Sequence, residues 1–403
     1  MSLLDLLSRR ECWEDFYEYK TSLACPKAFS GELREYIDRQ AYLPVCETIA
    51  RRDRFPLPRR AVISKMGSRK KRIVYTYPPA ENTVLKLLTY LLLRTYDGIF
   101  SPGLYSFRPH RTAKDAVRAL SRVSGIGQMY AYKVDISNYF NSVPIWRLLP
   151  MLQEVTAGDP ALYAFLSALL AEPEALDGDR TVAEDKGIMA GTPLSAFYAN
   201  LYLRELDRHF ADAGVPYARY SDDIILFAPS RAETESYAAF IRDFLASNGL
   251  TVNPDKEQFT DPAEGWTFLG FLCRDGVYDI APATVRKLKQ KMRRKTRVLA
   301  RWQKRSGAEP QRAAAAFIRV FNRKLLEGGP DHELTWRHWF FSVINTADSL
   351  REIDHYAQDC IRYLLRGRRT KARFNARYAD LKKLGYQSLV HAYYDFNESK
   401  DTQ

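Results

Sequence analysis

The chain has 403 residues, enough for two or three packed units and a sizeable core without help from metals or disulfides. Lys and Arg outnumber Asp and Glu by 61 to 48, and the formal charge of +13 favours polyanionic partners through release of their counterions. Cys12, Cys25, Cys46, Cys273 and Cys360 are scattered, with no CxxC pair and no zinc-ligand spacing, which sets aside disulfide scaffolds and zinc modules and suits a reducing, cytoplasmic setting.

Residues 1–60 read as helical, with "GELREYIDRQAYLPVCETIARR" amphipathic and stopped by the Pro-rich "FPLPRR". The opening residues mix acids and bases, unlike a signal or transit peptide, so no export is expected. "AVISKMGSRKKRIVYTYPP" alternates and turns at Gly67 and Ser68, a hairpin with a basic tip. A buried helix follows over 82–97. Its apolar run, "VLKLLTYLLLRTY", is interrupted by Lys86 and Arg94 and is too short for a membrane span. The stretch "GLYSFRPHRTAKDAVRAL" is a loop feeding a helix, and "MYAYKVDISNYFNSVP" begins as a strand that delivers Asp135. Helices fill much of 144–170. The acidic "AEPEALDGDRTVAEDKG" reads as a loop before "IMAGTPLSAFYANLYLRELDRHF", where Pro193 suits the first turn of a helix.

"YARYSDDIILFAP" then places Asp222 and Asp223 at a hairpin tip between apolar strands. A helix over 231–248, a turn at "NPDK" and a short strand in "WTFLGFLCRDG" lead to a helical, basic region over 283–384, broken at "EGGPDHE". Residues 284–305 contain no acid. As a helix they turn Val285, Leu288, Met292 and Leu299 to a core and leave a basic rod outside, where an ordinary solvated face would mix signs. The order of elements is α+β with an all-helical C-terminal part.

An aspartate pair in a turn is by itself an ordinary turn feature. With Asp135 at the end of a second apolar strand, however, two carboxylate sites can hold a pair of Mg2+ ions ~3.5–4 Å apart, the geometry used in phosphoryl transfer. "VDISNYFNSV", "GIMAGTPLSAFYANLYLRELD" and "YSDD" resemble three successive catalytic motifs of reverse transcriptases. "GSRKKRIVYTYPP", "SFRPHRTAKDAV", "NPDKEQF" and "FLGF" fall in the order of bacterial reverse transcriptases of the group II intron type.

The resemblance implies a right-hand polymerase with a helical extension over 1–60, fingers and palm over 61–280, and a basic helical thumb and C-terminal region over 281–403. It implies RNA-directed DNA synthesis from dNTPs. Asp135 and Asp222 would be the principal ligands of two magnesium ions, joined by the Ile136 carbonyl, with Asp223 acting by its charge. Phe140 would face the sugar and exclude a 2′-hydroxyl, or else be a core aromatic. Lys71 and Arg72 match the grip on the triphosphate, although Arg69 and Lys70 blur the register. Lys256 matches a lysine that protonates pyrophosphate, and equally suits a surface position after a turn. Phe268, Leu269 and Gly270 match the primer grip. Arg108 and Arg111 are candidates for template contact or for a structural turn, and Lys287, Lys291, Arg294 and Arg301 for the nucleic-acid backbone. One departure stands out: Met189-Ala190-Gly191 replaces the family's usual Pro-Gln-Gly, so Ala190 and Gly191 line the nucleotide site without the glutamine.

The six histidines form no nuclease motif, and neither a zinc knuckle nor a recognisable ribonuclease H segment is present, so a stand-alone polymerase is expected. The flanks "CWEDFYEYKTS" and "YADLKKLGYQSLVHAYYDF" look like those of free-standing bacterial enzymes of phage defence, which copy a noncoding RNA into an RNA–DNA hybrid. The basic, aromatic "RRTKARFNARYADLKKLGY" suits RNA stacking or helix packing. Template-independent or protein-primed synthesis, with Tyr393 or Tyr394 as primer, and an RNA-binding splicing role are the alternatives. No membrane partner is expected.

Overall fold

The computed structural model describes residues 1–23, 26–64, 71–327, 335–367 and 376–401. The chain divides into two compact units, one of Met1–Ser22 with Phe29–Asp261 and one of Leu23–Ala28 with Pro262–Gln403. No helix among the described residues is long and apolar enough to cross a membrane.

The first unit opens with α1 (Arg10–Ser22), α2 (Lys27–Asp38) and α3 (Leu43–Ala50), as the amphipathic spacing predicts. Trp13, fully buried, stacks on Tyr42 at 4.7 Å between ring centroids and ties α1 to the entry of α3. The hairpin β1 (Arg59–Ser64) and β2 (Lys71–Thr76) is antiparallel, while its expected turn at Gly67 and Ser68, with Arg69 and Lys70, lies outside the described residues. Pro79 starts α4 (Pro79–Thr95), which buries Val84, Leu85, Leu87, Leu88 and Leu92. A capping box between Thr112 and Asp115 starts α5 (Ala113–Ser121).

Next come β3 (Tyr130–Asp135), α6 (Tyr139–Ser142), α7 (Ile145–Val155) and α8 (Pro160–Ala171). The acidic stretch then departs from the expected loop. It forms the hairpin β4 (Glu174–Asp177) and β5 (Arg180–Ala183), turning at Gly178 with φ +64° and joining β1 in the sheet order β2-β1-β4-β5. Ala175 is fully buried, and Arg60 pairs with Asp177 and Glu184, so neighbours distant in sequence neutralise acids that alone read as loop.

The expected helix at Pro193 begins at Ser195 and breaks at Leu203, giving α9 (Ser195–Tyr202) and α10 (Arg204–Asp212). β6 (Tyr217–Tyr220) and β7 (Asp223–Ala228) form the expected hairpin, followed by α11 (Arg231–Ser247) and β8 (Gln258–Thr260). The sheet order β6-β7-β3-β8 puts β3 in the interior, with α11 packed on β3 and β7.

One polar pair lies wholly inside this unit. Arg219 on β6 and Asp207 on α10 are both fully buried and joined twice, Nε to Oδ1 at 2.7 Å and Nη2 to Oδ2 at 2.6 Å. Tyr217 donates its hydroxyl to the same carboxylate at 2.8 Å, and two further guanidinium donors go to the carbonyls of Ser221 and Asn200. Bidentate geometry and additional hydrogen bonds are what make such a pair tolerable in a core.

In the second unit, β9 (Trp266–Phe268), β10 (Phe271–Arg274) and β11 (Val277–Ile280) form an antiparallel meander where the sequence suggested one short strand. Leu269 (φ 50°) and Gly270 (φ 89°) supply the left-handed turn that splits it. Helices α12 (Pro282–Ser306), α13 (Pro310–Asn322), α14 (Trp336–Phe340) and α15 (Asp348–Arg366) follow, then helices Tyr378–Lys383 and Leu389–Asp401. Val285, Leu288, Met292 and Leu299 are buried along α12, as their spacing predicts. Most of "EGGPDHE", and residues 368–375 of the basic, aromatic segment, lie outside the described residues.

Removing Asp207 leaves an unpaired buried guanidinium. Asp207→Ala is therefore expected to cost about 3–5 kcal/mol, read as a lowered urea midpoint. The double substitution Asp207→Leu with Arg219→Met is expected to cost markedly less.

Candidate active site

β3 and β7 pair so that Asp135 lies directly opposite Asp223. Directly opposed residues share a face of the sheet, where like charges repel. Asp222 joins them from the β6–β7 tip, and a carboxylate oxygen from each of the three lies within 4.8 Å of the others. No other group of acidic, histidine or cysteine side chains among the described residues converges in this way.

Four contacts hold the tip. Ser221 adopts φ 61°, a left-handed value that favours glycine in a two-residue hairpin turn. Its N–H donates to Ser106 Oγ at 2.8 Å and its carbonyl accepts from Arg219, which offsets the strain. The Ile136 N–H donates to the Asp222 carbonyl at 3.1 Å, locking the tip to the end of β3. On the other side, the Asn253 N–H donates to the Asp135 carbonyl at 2.7 Å.

The electrostatics follow from this crowding. Burial, then the charges of Asp222 and Asp135, push the Asp223 carboxyl up to about 6. Burial and Asp135 also raise Asp222, opposed by the cations Lys256 and Arg72. Lys256 donates to Asp135 Oδ1 at 2.5 Å, so it reaches the carboxylates instead of standing free on the surface. Burial would lower its pKa, but the bond and charge of Asp135 win and raise it. A set of three converging hard oxygen donors, two of them raised in pKa by burial and by their like-charged neighbours, fits a divalent cation such as Mg2+.

Lys71 and Arg72 are exposed at the start of β2. The adjoining segment is docked by backbone contacts. The Tyr75 N–H donates to the Ala190 carbonyl at 2.8 Å, and Asn141 bridges Ile73 O and Ala190 N through its amide. Gly191 has φ 103°, and a Cβ there would stand 3.0 Å from the Tyr75 carbonyl. Phe140 is half-buried, edge-on to Phe107 at 6.4 Å and to Tyr139 at 5.6 Å.

Arg108 requires a correction. Its side chain is buried, and all five donors are spent on Asp97 and on the carbonyls of Asp97, Ser101 and Leu104, leaving none for a nucleic acid. It folds the loop that carries Ser106. Arg111 is only partly buried and gives one donor to the Pro102 carbonyl. Tyr393, a candidate primer, is also corrected: it is buried, with its hydroxyl on the Ile344 carbonyl, whereas Tyr394 is half exposed.

In the second unit, Phe268, Leu269 and Gly270 form the β9–β10 turn. Lys287, Lys291, Arg294 and Arg301 are exposed on α12. Burial, then the like charges of Lys324, Arg294 and Lys287, depress the Lys291 pKa.

Sequence reading missed Ser106, Asn141, Arg219 and Asp207. The one signal available was an Arg inside an otherwise apolar strand, which demands a buried anion.

The sequence profile of the family described as reverse transcriptase (RNA-dependent DNA polymerase) matches residues 63–273, more than half of the chain. The chain belongs to the reverse transcriptase family. An uncharacterized 91 kDa protein in a cob intron of Schizosaccharomyces pombe is 24% identical over 263 residues, which cover 51% of this reverse transcriptase and 32% of the relative. The chain thus spans about a third of that relative's length. Among solved structures, apo telomerase from Candida Tropicalis superposes with a TM-score of 0.50 at 11% identity, over 81% of this chain and 59% of that one. Telomerase from Candida albicans, in complex with a TWJ fragment of telomeric RNA, gives 0.45 at 12% identity over 87% and 66%. The first of these likenesses is one of fold, the right-hand α+β polymerase.

The raised Asp223 sets a pH dependence. Between about pH 4 and 6 the folded state holds a proton that the unfolded state has lost, so stability falls as pH rises through this window. Asp223→Asn is expected to stabilise the metal-free protein at pH 7.5 by on the order of 1–3 kcal/mol. The gain should vanish below about pH 4, where Asp223 is neutral in both states; denaturant midpoints with and without EDTA check this.

Proposed function

We propose that this chain is an RNA-directed DNA polymerase that copies a structured noncoding RNA with dNTPs, forming an RNA–DNA hybrid, in antiviral defence. The observation that carries the polymerase reading is the convergence of Asp135, Asp222 and Asp223 on paired strands within the matched residues. The defence role rests only on the resemblance of the flanking segments.

In this reading residues 61–280 act as fingers and palm and 281–403 as thumb and C-terminal region. Asp135 and Asp222, with the Ile136 carbonyl, hold two magnesium ions, and Asp223 adds charge beside them. Magnesium bound there supplies neutralisation of the attacking and leaving oxygens in phosphoryl transfer. Arg72 offers a planar fork and Lys71 a point charge to the triphosphate. Phe140 walls the sugar side, and the Ala190–Gly191 backbone, pinned to β2, forms the floor. Lys256, already at the carboxylates, gives a proton from Nζ to the departing pyrophosphate. Phe268, Leu269 and Gly270 support the primer, while Arg111, Lys287, Lys291, Arg294 and Arg301 take backbone phosphates. Ala190 lacks the amide that a glutamine would offer the nucleotide, so discrimination rests on Phe140 and base pairing.

Primer extension on RNA with dNTPs tests the reading. Wild type is expected to incorporate, and Asp222→Asn with Asp223→Asn to fall to background while still folding. Phe140→Ala is expected to raise ribonucleotide use relative to deoxynucleotide use by roughly tenfold or more. Failure of wild type to incorporate when its copurifying RNA is present would sink the proposal. Sequencing of that RNA, and of DNA found only with wild type, identifies the template.

A further inference from the structure

Helix α8, "PALYAFLSALLA", carries no charged residue. A helix that is apolar all round is normally buried on every side. Here Leu162, Leu166, Leu169 and Leu170 are buried, but Ala164 and Ala168 are exposed and Ala161 and Phe165 only partly covered. These last four line a cavity of about 560 Å³ in the first unit. Leu43, Cys46, Glu47 and Ala50 of α3 line it too. On each helix the four positions are i, i+3, i+4 and i+7, the stripe that one helix offers to another. Phe55 stands edge-on to both Phe165 and Tyr77 at 5.4 Å between centroids, so the aromatic part of the wall is already packed.

The charge around this cavity runs against that of the whole chain. Asp5, Glu47, Asp53 and Glu172 line it against Arg52 and Arg54, in a protein of formal charge +13. Arg54 is bound to Glu172 at 3.2 Å and to Glu174 at 2.9 Å. Glu47 meets Arg51 at 3.4 Å, a fully exposed pair of the kind that holds little energy, and Asp5 accepts the Ser2 N–H at 2.8 Å. A surplus of carboxylate repels a nucleic-acid backbone. A second copy of this chain brings a second set of the same carboxylates to a self-complementary contact. What the rim attracts is a different, cationic partner.

We propose that this cavity docks an amphipathic helix of a partner protein, with its apolar ridge on the stripes of α3 and α8 and its Lys and Arg side chains toward Asp5, Glu47 and Asp53. Each stripe runs about 10 Å along its helix, which suits an extended ridge better than a compact ligand. Recognition of a helix in a groove uses anchors at the same spacing. Tyr77, in the same wall, is buried and donates its hydroxyl to Met189 Sδ at 3.7 Å. One side chain therefore separates the docked helix from the Met189–Gly191 segment.

The test is fluorescence anisotropy of a labelled amphipathic peptide of leucine and lysine, roughly four helical turns long, titrated with full-length protein, beside a twin in which glutamate replaces lysine. Wild type is expected to bind the lysine peptide about tenfold tighter than the glutamate peptide, the reverse of what the net charge of +13 favours. Ala168→Arg places a cation at an exposed position of the uncovered face, so the fold is kept, and it should remove most of that binding. Glu47→Lys with Asp53→Lys, both exposed, is expected to invert the preference. The inference is overturned if the lysine peptide does not bind, if the glutamate peptide binds as tightly, or if Ala168→Arg binds like wild type. It falls as well if sedimentation shows a dimer that Ala168→Arg splits, because a second copy then covers α8. None of these readouts depends on polymerase activity, so the outcome is separate from that of primer extension.

Discussion

A guanidinium and a carboxylate, both wholly out of water, hold the centre of the first unit. Arg219 and Asp207 lock β6 to α10, and the same guanidinium reaches the carbonyl of Ser221. That contact keeps the hairpin tip in a backbone conformation a serine resists, and the tip in turn carries Asp222. Three acids can be crowded on one sheet face only if the backbone beneath them cannot relax. The buried pair supplies that rigidity, and the repulsion above it makes a place for positive charge.

The polar loop between α4 and α5 serves the same end. Arg108 spends its whole donor set folding the loop, Ser106 supports the tip, and Phe107 is turned outward. Asn141 clasps both β2 and the Met189–Gly191 segment through its side-chain amide, and the Tyr75 N–H adds a backbone bond to the Ala190 carbonyl. Positive residues then surround the acids at graded distance: Lys256 in contact, Arg72 close enough to lower the Asp222 pKa. The site is thus a negative core within a positive frame, which suits a metal ion and a polyphosphate together.

Much of this was legible in the sequence where the signal is local. Apolar strands ending in aspartate placed Asp135 and Asp222, and the acid-free periodicity of α12 separated its buried and basic faces correctly. Strand pairing in the acidic stretch was not legible, because its partner β1 and its neutralising Arg60 lie more than a hundred residues away. The β9–β10 split depended on a left-handed leucine, which composition does not announce. Arg108 misled for a related reason: arginine in a basic loop reads as a phosphate contact until the buried carbonyls that claim it are seen.

The interior position of β3 also governs when the site comes into being. Asp135 leaves the ribosome long before its neighbours do: β7 and β8 are both later in the chain, and Asn253, which fixes its carbonyl, is 118 residues further on. Contacts of such sequence separation close slowly and only after their intervening segments exist. A nascent or truncated chain ending before β8 therefore carries all three aspartates without a finished sheet to oppose them. The arrangement of strands makes the completed carboxylate site a late product of synthesis.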